Sequence, residues 1–214
     1  MKRLLPFAII IIVLVGAIAA GWVVLRSARD QQNTPTPTPD PAREVKGAEP
    51  PHVRGNPNAP VTLEEFGDFQ CPSCGSYHPE LKKIEAEFGD KLKVIFRELP
   101  LLPTHEHALM AAQAAEAAGL QGKFWEMHDL LLDNQQHLKL NHLRNYAERL
   151  QLDMPRFIAD IDDHIYLQRV REHVQSGRDG GVRGTPTFFV NGRIQDVSFG
   201  MHALFEAVET ALRA

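Results

Sequence analysis

Cys71 and Cys74 are the only cysteines of the chain, in the stretch "GDFQCPSCGSYHPE". Two thiols at this spacing on the start of a helix lie on one face, one turn apart, and can bridge. Pro72 between them has the fixed φ suited to a first helical turn, which puts Cys71 at the helix N-terminus. Unpaired N–H groups and the helix dipole stabilise a thiolate there. A stabilised thiolate favours the reduced pair, so the corresponding disulfide is an oxidant. For this two-electron couple about 30 mV corresponds to about 1.4 kcal/mol.

Other chemistries use such a pair. Zinc takes four protein ligands in structural sites and three in catalytic ones; Cys71, Cys74 and His78 supply three, with His105 or His107 for another. Haem attachment needs a histidine directly after the second cysteine, where Gly75 stands. A purely structural bridge here closes too short a loop to remove much unfolded-chain entropy. A Cys-x-x-Cys beside a βαβ pattern reads most naturally as a thioredoxin-like redox pair.

The surrounding elements make that pattern. "VTLEEF", Val61 to Phe66, alternates as a strand. Val61, Leu63 and Glu65 share one face; Thr62, Glu64 and Phe66 share the other. Pro79 to Phe88 is helical and ends at Gly89, and "KLKVIFREL", Lys91 to Leu99, is a second strand. A strand, a helix and a strand in this order predict parallel pairing.

A helical tract follows, with Phe124, Met127, His128 and Leu131 on one face, then Leu143, Tyr146, Ala147 and Leu150, then Ile158, Ile161 and Ile165. The histidines of this tract, His105, His107, His128, His137 and His142, read as surface or capping groups rather than ligands. "TPTFFV", Thr185 to Val190, returns to a strand, and Asn191-Gly192 predicts a hairpin into Arg193 to Gln195. The last helix turns Leu204, Phe205, Val208 and Leu212 inward. The fold class expected is α/β, a mixed sheet with an all-helical insertion.

Three stretches, "NAPVTLEEFGDFQCPSC", "AAGLQGKFWEMHD" and "GVRGTPTFFVNGR", resemble the DsbA-type thiol–disulfide oxidoreductases. These have a thioredoxin-like fold with a helical insertion, and the likeness is greatest to membrane-anchored bacterial forms. The resemblance covers about residues 53–214. It implies that Cys71 is the exposed nucleophile and Cys74 its buried partner, with Pro72 and Ser73 completing the motif. It also implies that Pro186 is a cis-proline facing the pair, preceded by Thr185, and that both contact an extended substrate. Ser73 stands where several family members carry a histidine that helps to stabilise the thiolate. Glu65 falls on the Val61/Leu63 face, six residues before Cys71, where thioredoxin-like proteins place a buried acid. It is expected to exchange a proton with Cys74, Glu64 and Asp68 being the alternative acids. No metal site and no cofactor beyond the Cys71–Cys74 disulfide are expected.

The rest of the chain bears on location. Leu4 to Leu25 carries no charge and would span roughly 33 Å as a helix, close to the hydrocarbon core. Residues 1–26 are expected to be a membrane anchor; the alternative is a signal peptide cleaved after Ala17-Ile18-Ala19. The Pro/Thr-rich segment at 27–52 reads as an extended tether, leaving residues 53–214 as the thioredoxin-like domain with its insertion at about 104–174. Either N-terminal alternative favours an extracytoplasmic domain, in the periplasm or at the cell exterior. Net charge −4, with 43% hydrophobic and 23% charged residues, fits a globular core and gives no nucleic-acid surface.

The function expected is dithiol oxidation: disulfides are introduced into exported proteins that carry free thiols. The resemblance implies recycling by an integral-membrane quinone-linked thiol oxidase. A disulfide reductase or isomerase is the alternative with the same chemistry. A membrane-tethered chaperone or metal-binding module is the alternative of another class.

Overall fold

The computed structural model describes residues 48–214. The expected anchor at 1–26, and the tether up to residue 47, lie outside the described residues. Among the described residues no helix is long and apolar enough to cross a membrane.

The sheet holds β1 (Val53–Gly55), β2 (Val61–Gly67), β3 (Leu92–Glu98), β4 (Thr187–Val190) and β5 (Arg193–Gln195), in the order β1-β3-β2-β4-β5. Strands β2 and β3 are parallel, as the βαβ order requires; the other pairings are antiparallel. The hairpin between β4 and β5 turns at Asn191 and Gly192, which both have positive φ, 47° and 76°. That is the left-handed geometry Asn-Gly favours.

Strand β2 is central, and both of its faces are covered. Helices α1 (Pro72–Phe88) and α7 (His202–Arg213) cover one face, where Leu81, Ile84, Leu204 and Val208 pack on Val61, Leu63, Val94 and Phe188. On the other face Phe66 and Phe189 pack with Leu99 and Val182. Helix α6 (Leu167–Asp179) approaches Phe66 so closely that a Cβ at Gly177 would lie 3.0 Å from its ring. Helix α1 is longer than the Pro79–Phe88 stretch suggested. It begins at Pro72 and runs through Pro79, which removes one backbone donor and crowds the carbonyl of the preceding turn.

Between β3 and β4 the regular structure is all helical: α2 (Ala108–Gly119), α3 (Phe124–Asp133), α4 (Leu140–Arg149), α5 (Met154–Asp162) and α6. Helix α2 buries alanines on every side, Ala111, Ala112, Ala114, Ala115, Ala117 and Ala118. Their small side chains let its neighbours approach, and they pack in one core with Cys71, Cys74, Phe69 and Phe96. The expected stripe of Ile158, Ile161 and Ile165 is not continuous. Helix α5 stops at Asp162, His164 takes φ 51°, and Ile165 is left half exposed.

Residues 48–52, assigned to the tether by composition, pack on the domain. The Arg97 guanidinium donates to Ala48 O at 2.6 Å and Arg169 donates to Pro50 O at 2.6 Å. His52 stacks on Phe124 with ring centroids 3.7 Å apart, and its Nε2 lies 2.9 Å from Glu116 Oε2.

Candidate active site

Cys71 is the N-cap of α1 and Pro72 its first residue. Both cysteines are free thiols. Cys74 is wholly inaccessible and Cys71 is 6% accessible, so Cys71 is not the exposed residue expected. Two neighbours shield it. Thr185 O accepts a hydrogen bond from Cys71 Sγ at 3.3 Å. Gln135, from the α3–α4 connection, donates through Nε2 to Cys71 O at 2.7 Å and to Phe69 O at 3.1 Å.

The two thiols differ in acidity. Cys71 is lowered to about 5, first by the hydrogen bond from the Cys74 thiol. The Thr185 side chain and the N–H groups of Cys74 and Ser73 add to this, against the cost of burial. Thr185 Oγ1 is buried and has no hydrogen-bond partner among the described residues, so its hydroxyl is free to turn toward the thiolate. Burial raises Cys74 well above an ordinary thiol, assisted by its role as donor to Cys71 and by the nearby Glu65 carboxylate.

The Thr185–Pro186 peptide is cis, as the resemblance implied. Beside it opens a groove of about 410 Å³, lined by Ser73, Tyr77, Thr185, Pro186, Ile194 and Val197 among others. At the end of the β5–α7 connection Phe199 is almost entirely exposed.

Glu65 points into the core, as the alternation predicted, and is 3% accessible. Its register partners are Phe96 on β3 and Phe188 on β4. Its Oε1 has no hydrogen-bond partner. Burial raises its pKa to about 8, with further upward pushes from Glu85 and Cys71. The alternative acids are engaged elsewhere. Glu64 lies on the opposite face and accepts from Arg97 Nε at 2.8 Å. Asp68 accepts from the N–H groups of Gln70 and Leu101, and its Oδ2 lies 2.7 Å from His105 Nδ1. Asp68 meets the pair only through its backbone, N–H to Cys74 Sγ at 3.5 Å.

Several contributors carried no sequence signal. Gln135 reaches the cysteine loop from across the insertion. Gly67 lies against Phe96, whose ring a Cβ there would meet at 2.3 Å. His105 ties the β3–α2 connection to buried Asp68 rather than serving only as a surface group. His128 is buried and belongs with Phe124, Met127 and Leu131 rather than with surface histidines.

A dithiol at a helix N-terminus, facing a cis-proline loop in a sheet interrupted by helices α2 to α6, is the DsbA-type arrangement of the thioredoxin fold. The chain belongs to the Thioredoxin family, whose model matches residues 47–210. Among solved structures it is similar to oxidised BdbD from Bacillus subtilis, with TM-score 0.70 and 24% identity over 77% of this chain and 94% of that one. It is also similar to a thioredoxin-like oxidoreductase from Silicibacter pomeroyi DSS-3, with TM-score 0.68 and 27% identity over 77% of this chain and 93% of that one. A relative from Salinispora arenicola named Na(+)/H(+) antiporter NhaA 1 is 48% identical over 160 residues, covering 75% of this chain and 24% of the relative. The chain therefore spans about a quarter of the length of that curated relative.

Proposed function

We propose that the chain is a dithiol–disulfide oxidase that introduces disulfides into exported proteins. The observation that carries this is the placement of the pair: Cys71 is the N-cap of α1 with its thiol 3.3 Å from Thr185 O and its pKa lowered to about 5, and Cys74 is fully buried behind it with its pKa raised. A substrate thiolate attacks Cys71 Sγ of the 71–74 disulfide; the S–S bond breaks, and Cys74 leaves as a thiolate and takes up a proton. Glu65, held protonated by its buried site, supplies that proton. A second substrate thiolate then attacks the substrate sulfur of the mixed disulfide, and Cys71 leaves. Its low pKa makes it a good leaving group. Two electrons pass from the substrate dithiol to the cysteine pair. Thr185 and Pro186, with the groove beside them, hold an extended substrate segment during the exchange.

Reoxidation falls to an integral-membrane quinone-linked thiol oxidase, and the apolar segment Leu4 to Leu25 keeps both proteins in one membrane with the domain outside the cytoplasm. The occurrence of a related segment in a longer chain named as an antiporter supports work beside a membrane.

The reduction potential of the 71–74 pair tests the direction. Thioredoxin lies at about −270 mV and DsbA at about −120 mV. A thiolate favoured by two pH units at neutrality raises the potential by at most about 60 mV, before a discount for solvent screening. Thiolate acidity alone does not close the gap, so the measured potential decides. A value well above −270 mV supports the oxidase; about −270 mV makes the protein a reductase and overturns the proposal.

A further inference from the structure

One helical turn beyond Cys74, on the same helix, His78 faces the insertion. His78 of α1 and His128 and Asp129 of α3 each present a metal-binding atom, all within 4.8 Å of one another. Both histidines are 3% accessible. His78 Nε2 is buried and has no hydrogen-bond partner, and His128 Nδ1 lies 2.9 Å from Asp129 Oδ1. His78 Nε2 stands 3.7 Å from Asp129 Oδ1 and 3.7 Å from Asp133 Oδ1. That is too long for a hydrogen bond. It is close to the separation of two ligands on one tetrahedral ion, about 3.3 Å for bonds of about 2.0–2.1 Å.

We propose that His78, His128, Asp129 and Asp133 form a site for a divalent transition-metal ion of zinc type, joining the cysteine helix to the insertion. Two imidazoles and two carboxylates are a donor set zinc accepts. Burial lowers the pKa of both imidazoles, which keeps them in the neutral, ligating form. Asp133 is 56% exposed at its side chain and gives the ion a way in.

The cations already present define how the ion enters. Arg54 holds Asp129 Oδ1 at 2.5 Å and Glu85 at 3.3 Å, an outer contact that fixes the carboxylate. Lys82 Nζ lies 3.0 Å from Asp129 Oδ2 and is 45% exposed, so the ion displaces this flexible side chain. The other cluster of this kind, Glu98, Glu116 and His173, lacks that opening. All three residues are buried, and Arg169 and His52 already sit on Glu116.

The test uses the full chain carrying Cys71→Ser and Cys74→Ser, so that thiols cannot chelate. Titration with zinc chloride, followed by calorimetry and by the melting temperature, is expected to show one ion per chain and a raised melting temperature. Added to that background, Asp133→Asn is expected to weaken binding at least tenfold and His78→Gln at least a hundredfold. Lys82→Ala is expected to tighten it. Asp133 is exposed, so its variant keeps the test valid if His78→Gln fails to fold. Absence of stoichiometric binding at micromolar zinc, or binding indifferent to Asp133→Asn and Lys82→Ala, overturns the proposal.

Discussion

The side-chain amide of Gln135 lies 2.7 Å from the carbonyl oxygen of Cys71, so the insertion holds the backbone of the first cysteine directly. The same amide packs over Gly75, where an added Cβ would lie 2.2 Å from Gln135 Oε1. The glycine after Cys74 is thus the space through which the insertion reaches the pair.

Replacing Gln135 by Leu removes the side-chain donor to the Phe69 carbonyl and one of the two donors to the Cys71 carbonyl, which keeps the Gly75 N–H at 3.2 Å. A destabilisation of about 1–3 kcal/mol is expected, read by urea unfolding, together with slower exchange with a model dithiol. Full stability and an unchanged rate would reduce this contact to a bystander.

Alkylation of the reduced protein by iodoacetamide should be confined to Cys71 and should follow a single titration with its midpoint at about 5. The depressed pKa also links acidity to stability. The thiolate's contribution to the reduced form is fully present above the unfolded thiol pKa of about 8.5 and is lost as pH falls through about 5. Thr185→Val removes a donor to the charged sulfur. The alkylation midpoint should move up by roughly one to two units, the equivalent of a hydrogen bond to a charge.

Glu65 carries the opposite sign. Its folded pKa of about 8 lies above the unfolded value, so its contribution is fully present below about 4.5 and is lost as pH rises through about 8. Glu65→Gln removes this loss. At pH 7 the variant should be more stable than the parent by on the order of 3 kcal/mol, measured against each protein's own stability at pH 4. The proton transfer to Cys74 should slow, with little change in the alkylation rate of Cys71. Parallel stability curves from pH 4 to 9 would show that the carboxyl does not titrate in the fold.

Gly67 ends β2 beside the pair, and a methyl group there would collide with the Phe96 ring and come within 3.1 Å of Glu65 Oε1. Gly67→Ala should cost about 1–3 kcal/mol by overpacking, measured as a lowered urea midpoint with unchanged slope.

What the chain discloses in advance is local. Pro72 at a helix start, Asn191-Gly192 in a hairpin and the alternation that buries Glu65 all act within a few residues, and each follows from backbone geometry or period. The features that escaped are long-range. Gln135 meets Cys71 across 64 positions and His105 meets Asp68 across 37. Only the folded insertion brings these residues together, so no spacing announces them. The shielding of Cys71 was unreadable for the same reason, since its covering groups come from two remote loops. Ile165 misled because periodicity continues past Asp162 while the backbone does not.

The clamp on residues 48–52 has a mechanical consequence. Tension applied to the chain upstream of Ala48 meets Arg97 on β3 and Arg169 on α6 before it reaches β1. The load passes into β3, whose Arg97 lies opposite Phe66 on β2, and into α6. A pull from that end is therefore shared between the central strands of the sheet and the insertion before it bears on β1.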